Sequence, residues 1–321
     1  MNCPYPSIPL FLIASKIFPA IGPETYTVIH IKDGIIYSLG NDELIKQKNP
    51  DETIIDLTGY ALFPGFVNAH SHLELTALGP VSSPASFVDW IRKLISQKKE
   101  LTETEKDRGV KSGIKNMIKT GVTCVGDHIS HDGPWETILN SPLRGRLFPE
   151  VLGVVPEISQ NILEHLKQLK LTHENKTSLW KIHISPHSIH ALDPEILKQI
   201  LKEEPAPLSC HVAESAAEDE LFRKGSGEMA DFISPFIKGG LRGIWARLDS
   251  SLGPHSGLEQ LIFQKLPIEK LLIVHGNYLS DTEIEIMSRH KMSVVHCPGS
   301  HAYFGHKKFL LEKLKDINIS F

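Results

Sequence analysis

Two histidines separated by one residue, His70 and His72, are the side chains of this sequence best suited to metal chemistry. They follow an apolar run that opens with Pro64 and Gly65, a pattern typical of a buried strand entered from a turn. Side chains alternate along a strand with a period of two, so both imidazoles would point the same way. Two converging neutral imidazoles suit a divalent transition metal. The run therefore predicts part of a metal site at the carboxyl end of a strand.

A second pair, His211 and Glu214, lies at the end of a later apolar run. The imidazole could bind the same metal, which lowers the pKa of a bound water to about 7 and makes hydroxide available at neutral pH. The carboxylate could then carry a proton to a leaving group. Glu214 could instead support a helix start, because an acidic side chain there interacts favourably with the helix dipole. The pair indicates hydrolysis by metal-bound hydroxide, with a capping role for Glu214 as the alternative.

The elements that must position these side chains are apolar strands alternating with amphipathic helices, which is typical of a parallel α/β fold. After the His70 strand, further strands are predicted at 122–128, 147–153, 180–187, 207–214, 271–275, 292–297 and 317–321. Helices are predicted at 87–98, 105–119, 158–169, 193–202, 281–289 and 309–316. Eight strands with intervening helices indicate a (β/α)8 barrel, whose chemistry sits at the carboxyl ends of the strands. His128, His187, His275 and His296 also lie at or near such ends.

Residues 1–60 contain short β-branched runs at 25–31 and 34–38 around an Asp33-Gly34 turn signal. We therefore expect a small β-sandwich part at 1–60 and a metal-dependent hydrolase barrel at 61–321. The stretch 225–257 is long for a connection and is expected to be a lid, a specificity loop or a plain surface excursion.

The composition is that of an ordinary globular protein, with 41% apolar and 22% charged residues in 321. A net charge of -4 leaves no electrostatic footprint for nucleic acid or an anionic membrane, so we expect a small-molecule substrate, and the composition allows a homo-oligomer. Four scattered cysteines without a Cys-x-x-Cys pair fit a reducing, cytoplasmic location. The apolar stretch 8–13 is too short to cross a bilayer and is expected to be the opening strand.

Four motifs in register resemble the metal-dependent amidohydrolase superfamily. They are Pro64-Gly65-Phe66-Val67-Asn68-Ala69-His70-Ser71-His72-Leu73-Glu74, His211-Val212-Ala213-Glu214, Val274-His275-Gly276-Asn277 and Val295-His296-Cys297-Pro298. More narrowly, they resemble its cytosine-deaminase-like branch, which holds adenosylhomocysteine, aminodeoxyfutalosine and guanine deaminases and the triazine hydrolases. The resemblance spans nearly the whole chain and implies a barrel carrying a β-sandwich.

By position, the resemblance implies that His70, His72 and His211 bind one divalent metal, zinc in first place and iron in second. Glu214 becomes the proton shuttle, and His275 contacts the attacking water or the reacting group. The expected reaction is hydrolytic deamination of a purine-like or nucleoside-like heterocycle with release of ammonia.

Two further residues are expected at the substrate. His187 looks like the substrate-recognition histidine of strand four, with a structural role as the alternative, and Glu74 would contact substrate just past the first ligands. Three other functions stay open: a triazine-type hydrolase, a binuclear amidohydrolase with a carbamylated strand-four lysine, for which Lys181 is the candidate, and a non-catalytic barrel.

The sequence departs from the superfamily at strand eight. The fourth protein ligand is expected to be an aspartate just after that strand, and the sequence printed here stops within it, at Phe321. We therefore expect a barrel incomplete at its C-terminus. Three protein ligands can still hold catalytic zinc, so metal binding is expected at reduced affinity and turnover is expected to be absent or severely impaired.

Overall fold

The computed structural model describes residues 9–22, 24–48, 50–81, 86–237 and 255–316. The chain divides into two compact units, Met1–Val67 with Gly121–Thr123 and Asn68–Thr120 with Cys124–Phe321. The predicted strand at 317–321 and most of the stretch 225–257 lie outside the described residues. No helix in the described ranges is long and apolar enough to cross a membrane.

The first unit contains a four-stranded sheet. Its strands are β1 (Leu10–Ile17), β2 (Tyr26–Lys32), β3 (Ile35–Gly40) and β4 (Thr53–Leu62), in the order β3-β2-β1-β4. Strands β1 and β3 run antiparallel to β2, whereas β4 runs parallel to β1. The predicted Asp33-Gly34 turn is observed, with φ values of 52° and 72° that glycine and aspartate tolerate well. Ala14, Ile17 and Ile29 form the buried side of this sheet.

The second unit is built from parallel strands that follow one another along the chain. They are β5 (Phe66–Ser71, which starts in the first unit), β6 (Val122–Ile129), β7 (Arg144–Val151), β8 (Trp180–Ile182), β9 (Ser185–Pro186), β10 (Leu208–Val212), β11 (Leu271–His275) and β12 (Ser293–Val295). One sheet has the order β5-β6-β7-β8 with β9 on β7, and the other has β10-β11-β12. A parallel bridge between Ser188 and His211 links the two. The α/β class with a parallel sheet is therefore confirmed.

Helices lie between the strands, as the amphipathic pattern predicted. They are α1 (Phe87–Glu100), α2 (Glu103–Lys119), α3 (Trp135–Leu139), α4 (Pro156–His173), α5 (Pro194–Glu203), α6 (Ala216–Lys224), α7 (Glu228–Ile233), α8 (Gly257–Phe263), α9 (Asp281–Arg289), α10 (Pro298–Tyr303) and α11 (Leu311–Asp316). Short 3-10 helices cover Asp42–Gln47, Leu73–Leu78, Ser234–Phe236 and Ile268–Lys270. The main apolar core of this unit joins strands and helices, with Val125, Leu147, Ile182, Ile273 and Val294 almost fully buried. A smaller apolar cluster lies between α1, α6 and α7.

The prediction of one continuous strand over 180–187 was wrong, because this segment forms two short strands, β8 and β9. Ser185 Oγ donates to the carbonyl oxygen of His183 at 3.0 Å, a local side-chain bond that competes with strand pairing. The strand predicted at 292–297 is also shorter than expected. Cys297 precedes α10, and Pro298 takes the first turn of that helix, where its missing N–H costs nothing.

Glycines on α2 let this helix approach the 3-10 helix Leu73–Leu78 closely. A Cβ added at Gly109 would lie 2.6 Å from the backbone nitrogen of Ala77, and one at Gly113 would lie 2.7 Å from Leu73 Cδ2. Real Cβ atoms do not approach backbone so closely, so position 109 requires glycine, whereas a Cβ at Gly113 would displace the Leu73 side chain. Because the 3-10 helix begins directly after His72, this contact fixes the segment that carries the first candidate ligands.

Candidate metal-dependent active site

Histidines from several strands meet at the carboxyl end of the parallel sheets. The ring centroids of His70 in β5 and His211 in β10 are 4.9 Å apart, and His275 at the end of β11 lies 5.3 Å from His70 and 5.4 Å from His211. One potential donor atom from each of these three side chains lies within 4.8 Å of the other two. The strand ends therefore bring imidazoles that are far apart in sequence into one cluster.

His72 joins the cluster from the residue just beyond β5. Its Nε2 lies 3.4 Å from His211 Nε2, and its ring is 5.0 Å from that of His70. A second group of potential donors within 4.8 Å of one another consists of His72, His211 and Glu150. The three histidines predicted as metal ligands are thus neighbours, and His275 and Glu150 offer further donor atoms.

The imidazoles of the cluster are held in the form that binds metal. Burial lowers the pKa of His70 well below its ordinary value, with His128 and His211 adding to the effect. Burial also lowers the pKa of His211 well below its ordinary value. Metals bind neutral imidazole. Among the described residues, the Nδ1 atoms of His70 and His275 are buried without a hydrogen-bond partner. A set of neutral nitrogen donors with unpaired ring atoms fits a divalent transition metal such as zinc.

The orientation of His211 is fixed by a backbone contact. Its Nδ1 lies 2.7 Å from the carbonyl oxygen of His187, so Nδ1 carries the proton and donates it there. Nε2 is then left as an acceptor on the side of His72. A hydrogen bond of this kind on the far nitrogen orients a metal-binding histidine.

Glu214 lies beside His275, with 3.3 Å between Glu214 Oε1 and His275 Nε2. Burial raises the pKa of Glu214 to about 8, and the nearby Glu218 adds to this rise. The backbone on both sides is anchored, because Glu214 N donates to Glu218 Oε2 at 2.8 Å and Asn277 Nδ2 donates to the Glu214 carbonyl at 3.0 Å. The carboxylate is therefore a buried, well-positioned group at the histidine cluster.

The capping alternative for Glu214 was wrong. Helix α6 is capped by Ser215, whose Oγ accepts from Glu218 N at 3.2 Å. Glu218, in the first turn, accepts from the backbone nitrogens of Ala213 and Glu214. These two residues supply the capping interactions, which leaves the Glu214 side chain to face His275.

His187 follows β9 and pairs with a carboxylate that the sequence analysis missed. Its Nδ1 lies 2.9 Å from Oε2 of Glu150, in β7. Burial by itself lowers the pKa of His187, but the charge and hydrogen bond of Glu150 outweigh it, and the net shift is upward. Glu150 could have been noticed as an acidic residue near the end of an apolar strand, although nothing in the sequence indicates its partners.

The Glu74 side chain is buried and hydrogen-bonded to Lys98 of α1 and to Ser130, the residue after β6. Lys98 Nζ donates to Glu74 Oε1 at 2.7 Å, and Ser130 Oγ donates to Glu74 Oε2 at 2.7 Å. Asp127 lies nearby and accepts from Ser71 Oγ at 2.7 Å and from Leu73 N at 2.9 Å. Burial raises the pKa of Asp127 to about 8. The sequence analysis missed Lys98, Ser130 and Asp127, because their contacts join distant segments.

A comparison with protein-family models matches residues 61–321 to the amidohydrolase family. The chain belongs to this family. The match covers all the side chains of the cluster just described, from His70 to His275.

Relatives of this amidohydrolase chain include an aminodeoxyfutalosine deaminase of Nitratiruptor sp., 28% identical over 311 residues that make up 94% of the chain and 73% of the relative. The fold resembles that of Helicobacter pylori aminofutalosine deaminase in complex with methylthio-coformycin, with a TM-score of 0.77 and 22% identity over 97% of this chain and 75% of that one. The fold also resembles that of an adenosine deaminase of Xanthomonas campestris with bound zinc, with a TM-score of 0.74 and 17% sequence identity. This similarity covers 97% of this chain and 67% of that one. The chain thus spans between two thirds and three quarters of these proteins.

Lys181 is the strand-four lysine that a binuclear amidohydrolase site would require. It is exposed in β8, between the buried side chains of Trp180 and Ile182. Because side chains alternate along a strand, Lys181 is directed away from the core that these neighbours fill. The lysine on which the binuclear alternative depends is therefore not directed into the core at this strand.

Proposed function

We propose that this chain hydrolyses a carbon–nitrogen bond of a purine-like or nucleoside-like heterocycle, releasing ammonia and leaving an oxo product. The observation that carries the proposal is the position of Glu214, whose Oε1 lies 3.3 Å from His275 Nε2. His275 in turn belongs to a group with His70 and His211 in which one donor atom of each side chain lies within 4.8 Å of the others. The relatives' names support the substrate class, because they are deaminases of aminodeoxyfutalosine and of 5-methylthioadenosine or S-adenosylhomocysteine. We also propose that the parallel strands of 61–321 belong to a (β/α)8 barrel and that 1–60 form its β-sandwich part.

In this proposal His70, His72 and His211 hold one divalent metal, with zinc the first choice and iron the second. The metal supplies Lewis acidity that lowers the pKa of water to about 7. His211 is oriented for this task by the His187 carbonyl, and burial keeps the imidazoles neutral.

Glu214 and His275 then handle the proton and the reacting group. Glu214, in its ionised carboxylate form, takes a proton from the attacking water and delivers it to the departing amino group, which leaves as ammonia. His275 Nε2 faces Glu214 Oε1. In this proposal His275 contacts either the attacking water or the amino group on the ring carbon that reacts. Over the whole reaction, one water molecule is consumed, the bond between the ring carbon and the amino nitrogen is broken, and ammonia is released.

His187 and Glu74 are proposed to contact the substrate. Each is already oriented by a charged partner, Glu150 for His187 and Lys98 for Glu74. Groups held in this way offer fixed hydrogen-bonding positions, which is what recognition of a polar ring or sugar requires.

The test is an ammonia-release screen with the zinc-loaded protein over purines, adenosine derivatives, aminodeoxyfutalosine and aminotriazines. We expect turnover with at least one purine or nucleoside, abolished by a chelator and restored by added metal. This turnover should be severely impaired in the chain that ends at Phe321 and faster in a longer chain that supplies the aspartate expected after strand eight. Chloride release from chlorotriazines without ammonia release would assign the triazine-type hydrolysis instead. Metal binding without turnover of any of these compounds, in the longer chain that supplies this aspartate, would contradict the proposal.

A further inference from the structure

Glu150 is a buried carboxylate that reaches two histidines from other strands. It lies in β7, its side chain is 10% exposed, and its Oε2 is 2.9 Å from His187 Nδ1. Its other oxygen, Oε1, is 3.4 Å from His211 Nδ1 and has no hydrogen-bond partner among the described residues. A buried charge requires compensation, and the imidazoles of His187 and His211 surround this one.

Backbone hydrogen bonds also connect β7, the segment after β9, and β10 near Glu150. His187 N donates to the Val151 carbonyl at 3.1 Å, next to Glu150, and His211 N donates to the His187 carbonyl at 2.9 Å. The same His187 carbonyl accepts from His211 Nδ1 at 2.7 Å. Glu150 therefore holds the ring of His187, while the main chain of His187 holds the ring of His211.

The two contacts act on one nitrogen. The proton on His211 Nδ1 is directed to the His187 carbonyl, and the negative charge of Glu150 lies 3.4 Å from the same atom. Both favour the tautomer with Nδ1 protonated, which leaves Nε2 facing His72 Nε2 at 3.4 Å. A carboxylate behind a histidine also raises its basicity as a metal ligand.

We propose that Glu150 is a positioning residue of the metal centre, holding His211 as a ligand and fixing the ring of His187 beside it. The inference rests on the proposed function, because it assumes that His211 binds metal. Glu150 itself does not contact substrate in this account; it acts through the two imidazoles.

The test measures metal affinity rather than turnover. Zinc affinity of the Glu150→Gln variant is determined by competition with a chromophoric chelator, beside the wild-type chain and the Glu204→Gln variant. Glu204 is a matched control, because its side chain is 9% exposed and forms an ion pair, with 3.1 Å between its Oε2 and Lys170 Nζ. Glu204 lies before the start of β10, whereas His211 lies near the end of that strand. The cobalt(II)-loaded proteins provide a visible spectrum that reports the ligand set.

We expect Glu150→Gln to bind zinc about 10–100-fold more weakly than wild type and to keep the wild-type cobalt spectrum, because the ligand set is unchanged. Glu204→Gln should keep both the affinity and the spectrum, and a changed cobalt spectrum in Glu150→Gln would make Glu150 a ligand and overturn the inference. Glu150→Asp, which retains the charge on a shorter side chain, covers the case in which the glutamine variant does not fold, and we expect it to lose part of the affinity. Wild-type affinity in either Glu150 variant, or an equal loss in Glu204→Gln, would overturn the inference. A chain that includes the aspartate expected after strand eight and binds zinc but releases no ammonia would contradict the proposed function and leave this comparison intact.

Discussion

Lys98 of α1 and Glu74, two residues beyond the first candidate ligands, form an ion pair with 2.7 Å between Nζ and Oε1. The Glu74 side chain is only 5% exposed, whereas that of Lys98 is 26% exposed. Ser130 binds both partners, at 2.9 Å from Lys98 Nζ and 2.7 Å from Glu74 Oε2. The pair therefore connects α1, the end of β6 and the segment after His72.

Replacing Lys98 by methionine leaves the Glu74 carboxylate buried without its cation. Breaking a buried pair in this way costs roughly 3–5 kcal/mol, and we expect about 3 kcal/mol because Lys98 is partly exposed to water. Urea unfolding measures the loss. The control is Lys111→Met, which removes an exposed partner of Asp107 on α2 and should cost less than about 1 kcal/mol. Equal small losses in both variants would show that the Lys98 pair does not stabilise this segment.

The glycine contact between α2 and the 3-10 helix Leu73–Leu78 gives a second prediction. Gly109→Ala places a methyl group 2.6 Å from the Ala77 backbone, so the elements must separate, at a cost of about 1–3 kcal/mol. We also expect weaker zinc binding, because this helix follows His72 directly. Gly299→Ala is the control, since a Cβ at that position meets nothing within 4 Å. A stable Gly109→Ala variant with wild-type zinc affinity would contradict the prediction.

Glu214 and Ser215 are neighbours with different predicted roles. Glu214→Gln should retain zinc and fold normally but lose about 10²–10⁴-fold in turnover, the contribution typical of a general acid–base group. Ser215→Ala removes the cap of α6 and should cost about 1 kcal/mol of stability. Paired kinetic and unfolding measurements on both variants check these roles. Full turnover in Glu214→Gln would exclude its proposed part in proton transfer.

Part of the site was predictable because it lies on regular elements. The two-residue period of a strand predicted that His70 and His72 point the same way, and their rings lie 5.0 Å apart although His72 is just beyond β5. His211 lies in the apolar run that forms β10, and Glu214 follows two residues after that strand ends. Their neighbourhood in space follows from parallel strands ending at the same edge. The α/β class was predictable for the same reason, because apolar runs alternate with amphipathic ones.

The remainder depends on contacts that spacing along the chain does not encode. Glu150 meets His187 and His211 only because β7 lies beside the segment that leads from β9 to β10. Lys98 and Glu74 are 24 residues apart in the sequence, and the charged residues of α1 around Lys98 are typical of a solvent-exposed helix face. The break between β8 and β9 coincides with the local hydrogen bond from Ser185 Oγ to the His183 carbonyl, which apolar periodicity cannot reveal.

His70, His72 and His211 are proposed to bind one divalent metal together, next to Glu214. Anomalous diffraction at the zinc absorption edge, from crystals of the zinc-loaded protein, tests it most directly. We predict a single strong peak among these three imidazoles, with the Glu214 carboxylate beside it. A peak elsewhere with these histidines unliganded, or no peak in a protein that is otherwise folded as described, would contradict the account.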